Sequence, residues 1–198
     1  YIGLALLSGL AVIVTAWSLR YLTAPPGEYG FEEQASVYRE NPFWLQAHIL
    51  FGAVALTSGA LQFAVLAFFA PGALHRWMGA IYVVSATCAA VAGVRLAFYA
   101  YGGVANTAAF MLLALFWMLT TFRALHQASV ADVDGHRIWM VRSYALAFAA
   151  VTLRIETGLL LGAGLSFDDA YRIVPWTSWA LNLIVVEWVL LKKKTAPA

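Results

Sequence analysis

Charge is what this sequence has least of. Asp, Glu, Lys and Arg make up 11% of its 198 residues, against 63% hydrophobic ones. Soluble domains are about a quarter charged and about half apolar, so composition excludes one and implies a polytopic membrane protein. Cysteine is almost missing. Cys88 stands alone inside an apolar run, which excludes a disulfide framework and a thiolate metal site and leaves the role of a small buried hydrophobe. The four histidines have no HxxH, HxxxH or HExxH spacing, so they form no local metal cluster. No GxSxG occurs, and Ser143 and Ser178 sit in helical runs without a paired base, so hydrolase signatures are absent. No basic patch alternates with aromatics, which argues against nucleic acid as a partner. The net charge of +2 selects no partner. The chain opens at Tyr1 inside an apolar run, without Met or a charged leader, so the expectation is that an earlier segment precedes it.

What is present is apolar sequence in lengths that cross a bilayer. Six segments qualify: Tyr1–Tyr21, Phe43–Phe69, His75–Tyr101, Ala105–Gln127, Gly135–Leu161 and Tyr171–Leu191. Pro25-Pro26-Gly27, Pro71-Gly72 and Gly102-Gly103 punctuate them, and Lys192-Lys193-Lys194 closes the last. The fold expected is an all-α, single-domain bundle of six transmembrane helices. Residues 23–41 form the one long connection. They carry Glu28, Glu32, Glu33 and Glu40 beside Phe31, Val37 and Tyr38, a pattern that fits a short interfacial helix or a solvated acidic loop.

Basic residues orient the bundle. Arg76, Arg123, Arg137, Arg142 and the lysine triplet fall on the side of the C-terminus, while the opposite loops hold most of the acids. The positive-inside rule then puts the C-terminus in the cytoplasm and residues 23–41 in the periplasm of a bacterial inner membrane.

One stretch occurs twice. His75-Arg76-Trp77-Met78 opens the third span and His136-Arg137-Ile138-Trp139-Met140 the fifth, and each span meets a lone arginine near its far end, Arg95 and Arg154. At 1.5 Å per residue each interval covers roughly 27–30 Å, about the hydrocarbon thickness of a bilayer. The repeat predicts two hairpins, spans two-three and four-five, in a four-helix core with a pseudo-two-fold axis along the membrane normal. Gly52, Ala55 and Gly59 on span two, with Gly79, Ala86 and Gly93 on span three, would let those helices approach closely.

Ionisable side chains inside a bilayer cost several kcal/mol unless partnered, roughly 2.5–3.5 kcal/mol on insertion scales, so they are functional candidates. They fall into two layers. The cytoplasmic layer holds His75, Arg76, His126, His136, Arg137, Arg142 and Glu187; the outer layer holds His48, Arg95, Arg154 and Glu156. On a continuous fifth helix, His136, Met140, Ser143, Ala147, Ala150 and Arg154 share one face.

Histidines on facing helices of a membrane bundle ligate haem b, with arginines neutralising its propionates. His75 and His136 stand at equivalent depth and are the natural pair for a haem iron, with Arg76, Arg137 and Arg142 around them. An interfacial hydrogen-bonding role for two histidines at helix starts is the competing reading. His48 has no histidine at its level, and Met111 is the nearest alternative. Asp132 and Asp134 beside His136 fit either a cation or a turn that caps the helix. Arg154 and Glu156 are two apart and point apart on a helix, so each needs another partner. They form a salt-bridge layer with Arg95 and His48, or a site for a quinone or another small polar headgroup. In the sixth span, Trp176 and Trp188 read as interfacial belt residues, and Asn182 as a mid-membrane hydrogen bond to a neighbouring helix.

The segment from His136 to Tyr144, continued by Ala149 to Arg154, resembles a stretch of a bacterial domain-of-unknown-function family of predicted membrane proteins. His48 with Gly52 and Gln62-Phe63, His75-Arg76 with Gly79 and Tyr82, and Trp179 with Asn182-Leu183 fit the same pattern. That resemblance covers Leu45 to Trp188 and implies a multi-pass membrane fold, with no activity attached. More loosely, the chain is similar to diheme b-type cytochromes with a four-helix core. Their pairing of the third span with the fifth is matched by His75 and His136. Their second pair is not matched, because His126 lies on the wrong side of the membrane from His48. The function expected is a membrane redox component with a b-type haem or a quinone-like site. The alternative is a non-catalytic subunit or assembly factor of a larger membrane complex. A transporter ranks third, since spans three and five lack a midplane Pro or Gly-Pro break.

Overall fold

The computed structural model describes residues 2–23, 31–68 and 72–195. Its helices are α1 (Ile2–Leu19), α2 (Ala35–Glu40), α3 (Pro42–Phe68), α4 (Ala73–Ala97), α5 (Val104–Ser129), α6 (Val133–Ala147), α7 (Ala149–Gly162) and α8 (Phe167–Thr195). Six segments are long and apolar enough to cross a membrane, with α6 and α7 together making the fifth. The acidic connection is helical over α2; its residues 24–30 lie outside the described ones, as do the side chains of Val37 and Tyr38.

The hairpins α3–α4 and α5–α6 pack side by side through α4 and α5, and α3 closes against α6. α4 and α6 therefore face each other across the axis of a four-helix ring. α1 lies outside against α3 and α7, and α8 covers α5, α6 and α7. The core is largely alanine, with Ala55, Ala86, Ala89, Ala90, Ala114 and Ala147 around Tyr82, Trp117, Leu146 and Trp179. That follows from the solvent: lipid gives apolar side chains no reason to cluster, so helices are held by close backbone approach and by interhelical hydrogen bonds. Gly59 shows the approach. A Cβ there would stand 2.5 Å from Tyr144 Cδ2, and the Tyr144 hydroxyl donates to the Leu56 carbonyl at 3.1 Å.

Ends and turns follow local chemistry. The Asp132 carboxylate accepts from the Gly135 N–H at 2.9 Å and caps α6, so the capping reading of this turn has the direct contact behind it. Gly102 and Gly103 take φ of +91° and +76° between α4 and α5, a region that favours glycine.

Two helices are interrupted, and an asparagine answers each interruption. Pro175 inside α8 has no N–H for the Tyr171 carbonyl four residues back. Asn106 Nδ2 donates to that carbonyl at 2.9 Å. The fifth span, expected as one continuous helix, breaks at Phe148. Ala145 lacks the helical bond from the Ala149 N–H, and its carbonyl accepts Asn182 Nδ2 at 3.0 Å instead. Asn182 Oδ1 in turn accepts from the Thr152 hydroxyl at 3.0 Å, so one side chain bridges both sides of the break. Neither Pro nor Gly marks this site; a side chain inserted into the ladder does. The face drawn from His136 to Arg154 crosses this break: Ser143 is buried on its near side, and Ala147, Ala150 and Arg154 line a common cleft.

Candidate functional site

At the C-terminal face, α4 and α6 bring the two repeated motifs together. The His75 and His136 rings lie 6.3 Å apart between centroids, with planes at 88°. The Ala124 carbonyl of α5 holds His136 Nδ1 at 2.9 Å. Because a carbonyl only accepts, this puts a proton on Nδ1, and in the neutral ring Nε2 carries the lone pair. His75 keeps Nδ1 buried with no hydrogen-bond partner. Each ring thus retains a nitrogen uncommitted to a protein acceptor.

Two imidazoles bound to one metal atom at about 2 Å per nitrogen, on opposite sides, have centroids about 6–6.5 Å apart. The observed separation fits. Other features expected around such a slot are different. Gln62 covers Gly79: a Cβ on that glycine would stand 3.0 Å from Gln62 Nε2, which donates to the His75 carbonyl at 3.2 Å. Arg142 is tied in a fork to Glu187 at 2.6 and 2.9 Å and lies over the Trp139 ring at 4.6 Å. Arg76 and Arg137 are exposed beside the two histidines. Trp77 points out of the bundle at 73% exposure, and Met140 packs against the alanine core.

Beneath this pair, two turns along each helix, lies a closed hydroxyl network. Trp117 Nε1 can only donate, and it donates to the Tyr82 hydroxyl at 3.2 Å. Thr121 donates to the Trp117 carbonyl at 2.7 Å. The 2.7 Å contacts between Tyr82 and Ser143 and between Ser143 and Thr121 must therefore run from Tyr82 to Ser143 to Thr121. All four residues are buried. Tyr82 and Ser143 follow His75 and His136 by seven residues each, so the repeated motifs also place the partners of this lock.

The other half of the bundle contains a cleft of about 710 Å³ bounded by α1, α3, α4, α5 and the α6–α7 break. His48 and Arg154 line it; Arg95, Glu156 and Met111 do not. The expected four-residue outer cluster is thus divided. Glu156 turns to α8 and accepts from the Thr177 hydroxyl at 2.6 Å, while Arg95 lies over the Tyr99 ring at 4.6 Å. Arg154 donates to the Ala150 carbonyl at 2.6 Å and to the Ser18 hydroxyl at 3.0 Å. His48 Nδ1 meets the Ala89 carbonyl at 2.9 Å. Gly93 leaves room for that ring, since a Cβ there would press on it at 3.3 Å. At the rim, the Tyr101 hydroxyl donates to Asp168 at 2.5 Å, and the carboxylate holds the phenol above its ordinary pKa.

Ser18, Trp117 and Tyr171, which also line the cleft, carried no signal in the sequence. Each sits in an apolar run without a motif around it, and only packing selects it. Trp188 is exposed and carries Lys192 over its ring at 3.8 Å, as a belt residue would. Trp176 instead packs against Trp179.

Among the described residues, no group of three or more His, Cys, Asp or Glu side chains gathers to hold a metal ion. No curated protein and no solved structure matches the chain. The chain belongs to the DUF2306 family of predicted membrane proteins, which matches it over residues 45–190.

Proposed function

We propose that this DUF2306 protein is a membrane redox component that carries one b-type haem between His75 and His136. The observation behind it is the 6.3 Å approach of two histidine rings from helices on opposite sides of the four-helix ring. An interfacial role would leave each ring free to turn toward headgroups. Here the two rings approach each other across the ring of helices, and the Ala124 carbonyl orients His136 as an outer partner orients a metal-bound imidazole. The pseudo-two-fold relation of the two hairpins belongs to the same proposal, because it sets the two motifs at one depth.

The haem would supply one-electron chemistry. The chain's own part is to bind and orient. His75 and His136 would hold the iron, and Arg76 and Arg137 would be the cations available to the propionates, since Arg142 is engaged by Glu187. The reading places the site near the cytoplasmic face of a bacterial inner membrane, and a larger membrane complex would be a natural electron partner.

Purified protein should show a reduced-minus-oxidised difference spectrum of a b-type haem at about one haem per chain. His75→Ala and His136→Ala should each lose it while remaining folded. Folded wild-type protein without haem, prepared from haem-replete cells, would end this reading.

A further inference from the structure

The intramembrane cleft is built as a binding site, and we infer that it takes the ring of a lipid-soluble quinol, with His48 Nε2 accepting a hydrogen bond from a ring hydroxyl. Its volume of about 710 Å³ lies within the usual range for small-molecule sites, about 300–1,000 Å³. It extends from Tyr101 at one end of the bundle to Trp117 on α5. Val104 to Trp117 is 13 residues, so the cleft reaches about 20 Å into the membrane. Such a slot suits one ring with one chain better than a two-chain lipid.

Its polar groups choose the headgroup. His48 is held by its Nδ1 on the Ala89 carbonyl, so the proton is on that nitrogen and the ring offers a lone pair at Nε2. A ligand meeting it must donate a hydrogen bond. Arg154 supplies donors near the same end, and among the described residues no Asp or Glu lines the cleft. A ring with one hydroxyl toward His48 and a second oxygen toward Arg154 or Ser18 uses these groups. A simple hydrocarbon chain uses none. The walls are small where the ring must fit. A Cβ on Gly52 would meet nothing within 4 Å, so that position faces open space.

The choice of a redox-active ring over another hydroxylated amphiphile rests on the haem reading above. The site itself does not, and the test keeps the two apart. Trp117 and Trp17 line the cleft, so their fluorescence reports its occupancy. Decylbenzoquinol is titrated into the full chain in nanodiscs, and into the His75→Ala variant. The expected result is saturable quenching with the same affinity in both proteins. His48→Leu should weaken binding by about tenfold or more, which is the loss of one hydrogen bond of about 1.4 kcal/mol. Gly52→Leu, whose Cβ would meet no protein atom within 4 Å, should fill the slot and abolish binding in a folded protein. Partition that does not saturate, undiminished binding by Gly52→Leu, or tighter competition by oleate than by the quinol would each overturn the inference.

Discussion

Tyr82 shows how much of this protein's chemistry is decided one side chain at a time. It is fully buried, and its hydroxyl is both an acceptor for Trp117 and a donor to Ser143. Tyr82→Phe leaves the buried Trp117 N–H without its acceptor. An unmatched buried donor costs about 1–3 kcal/mol, and interhelical bonds in membranes fall toward the lower part of that range. Reversible unfolding in mixed micelles should show Tyr82→Phe less stable by about 1–2 kcal/mol. Equal stability would mean that the network is not closed as described. At this scale the sequence was partly legible. That Arg154 and Glu156 could not pair followed from their spacing, and they do not pair. Where each went instead, Ser18 and Thr177, depended on which helix lay beside it. No spacing rule within one helix contains that.

At the scale of the element, the helices are long because their residues are apolar, and they are interrupted where a neighbour accepts the consequence. Pro175 announces its own interruption. The break at Phe148 does not: the surrounding residues are ordinary helix formers, and the cause, Asn182, lies on another helix. The sequence marked Asn182 as a hydrogen-bonding residue, but the carbonyl it would meet was set by packing. The Pro175 case gives a sharp test, because an N–H restored at residue 175 would share the Tyr171 carbonyl with Asn106. Asn106→Ala should destabilise by about 1–3 kcal/mol alone, and by distinctly less in the Pro175→Ala background. A double-mutant cycle in mixed micelles checks this. Strict additivity would separate the two residues and remove the asparagine's assigned role.

The whole molecule is a ring of four helices with a polar site near each end, joined by an alanine core. Composition alone carried the membrane class, the six spans and most of their bounds, because hydrophobic length is a local quantity. The ring was foreshadowed by a repeat only four or five residues long. The division of the outer residues between a cleft and two separate helix faces was not, since it depends on how α1 and α8 lie against the ring. The basic residues at one end give an orientation prediction. A reporter fused after Lys194 should read as cytoplasmic and one placed between Thr23 and Asn41 as periplasmic. The reverse pattern would turn both sites over in the membrane while leaving their geometry intact.

The central claim, that His75 and His136 share one iron, is tested most directly by the electron paramagnetic resonance of the oxidised protein. Two imidazoles on one ferric haem give a low-spin signal. Planes near perpendicular, as the 88° here, give the strongly anisotropic form of it rather than the rhombic form of parallel planes. The account predicts that anisotropic low-spin signal in wild-type protein and a high-spin one, or no haem, in His136→Ala. A wild-type signal that is high-spin, or a low-spin signal that survives His136→Ala unchanged, would contradict it.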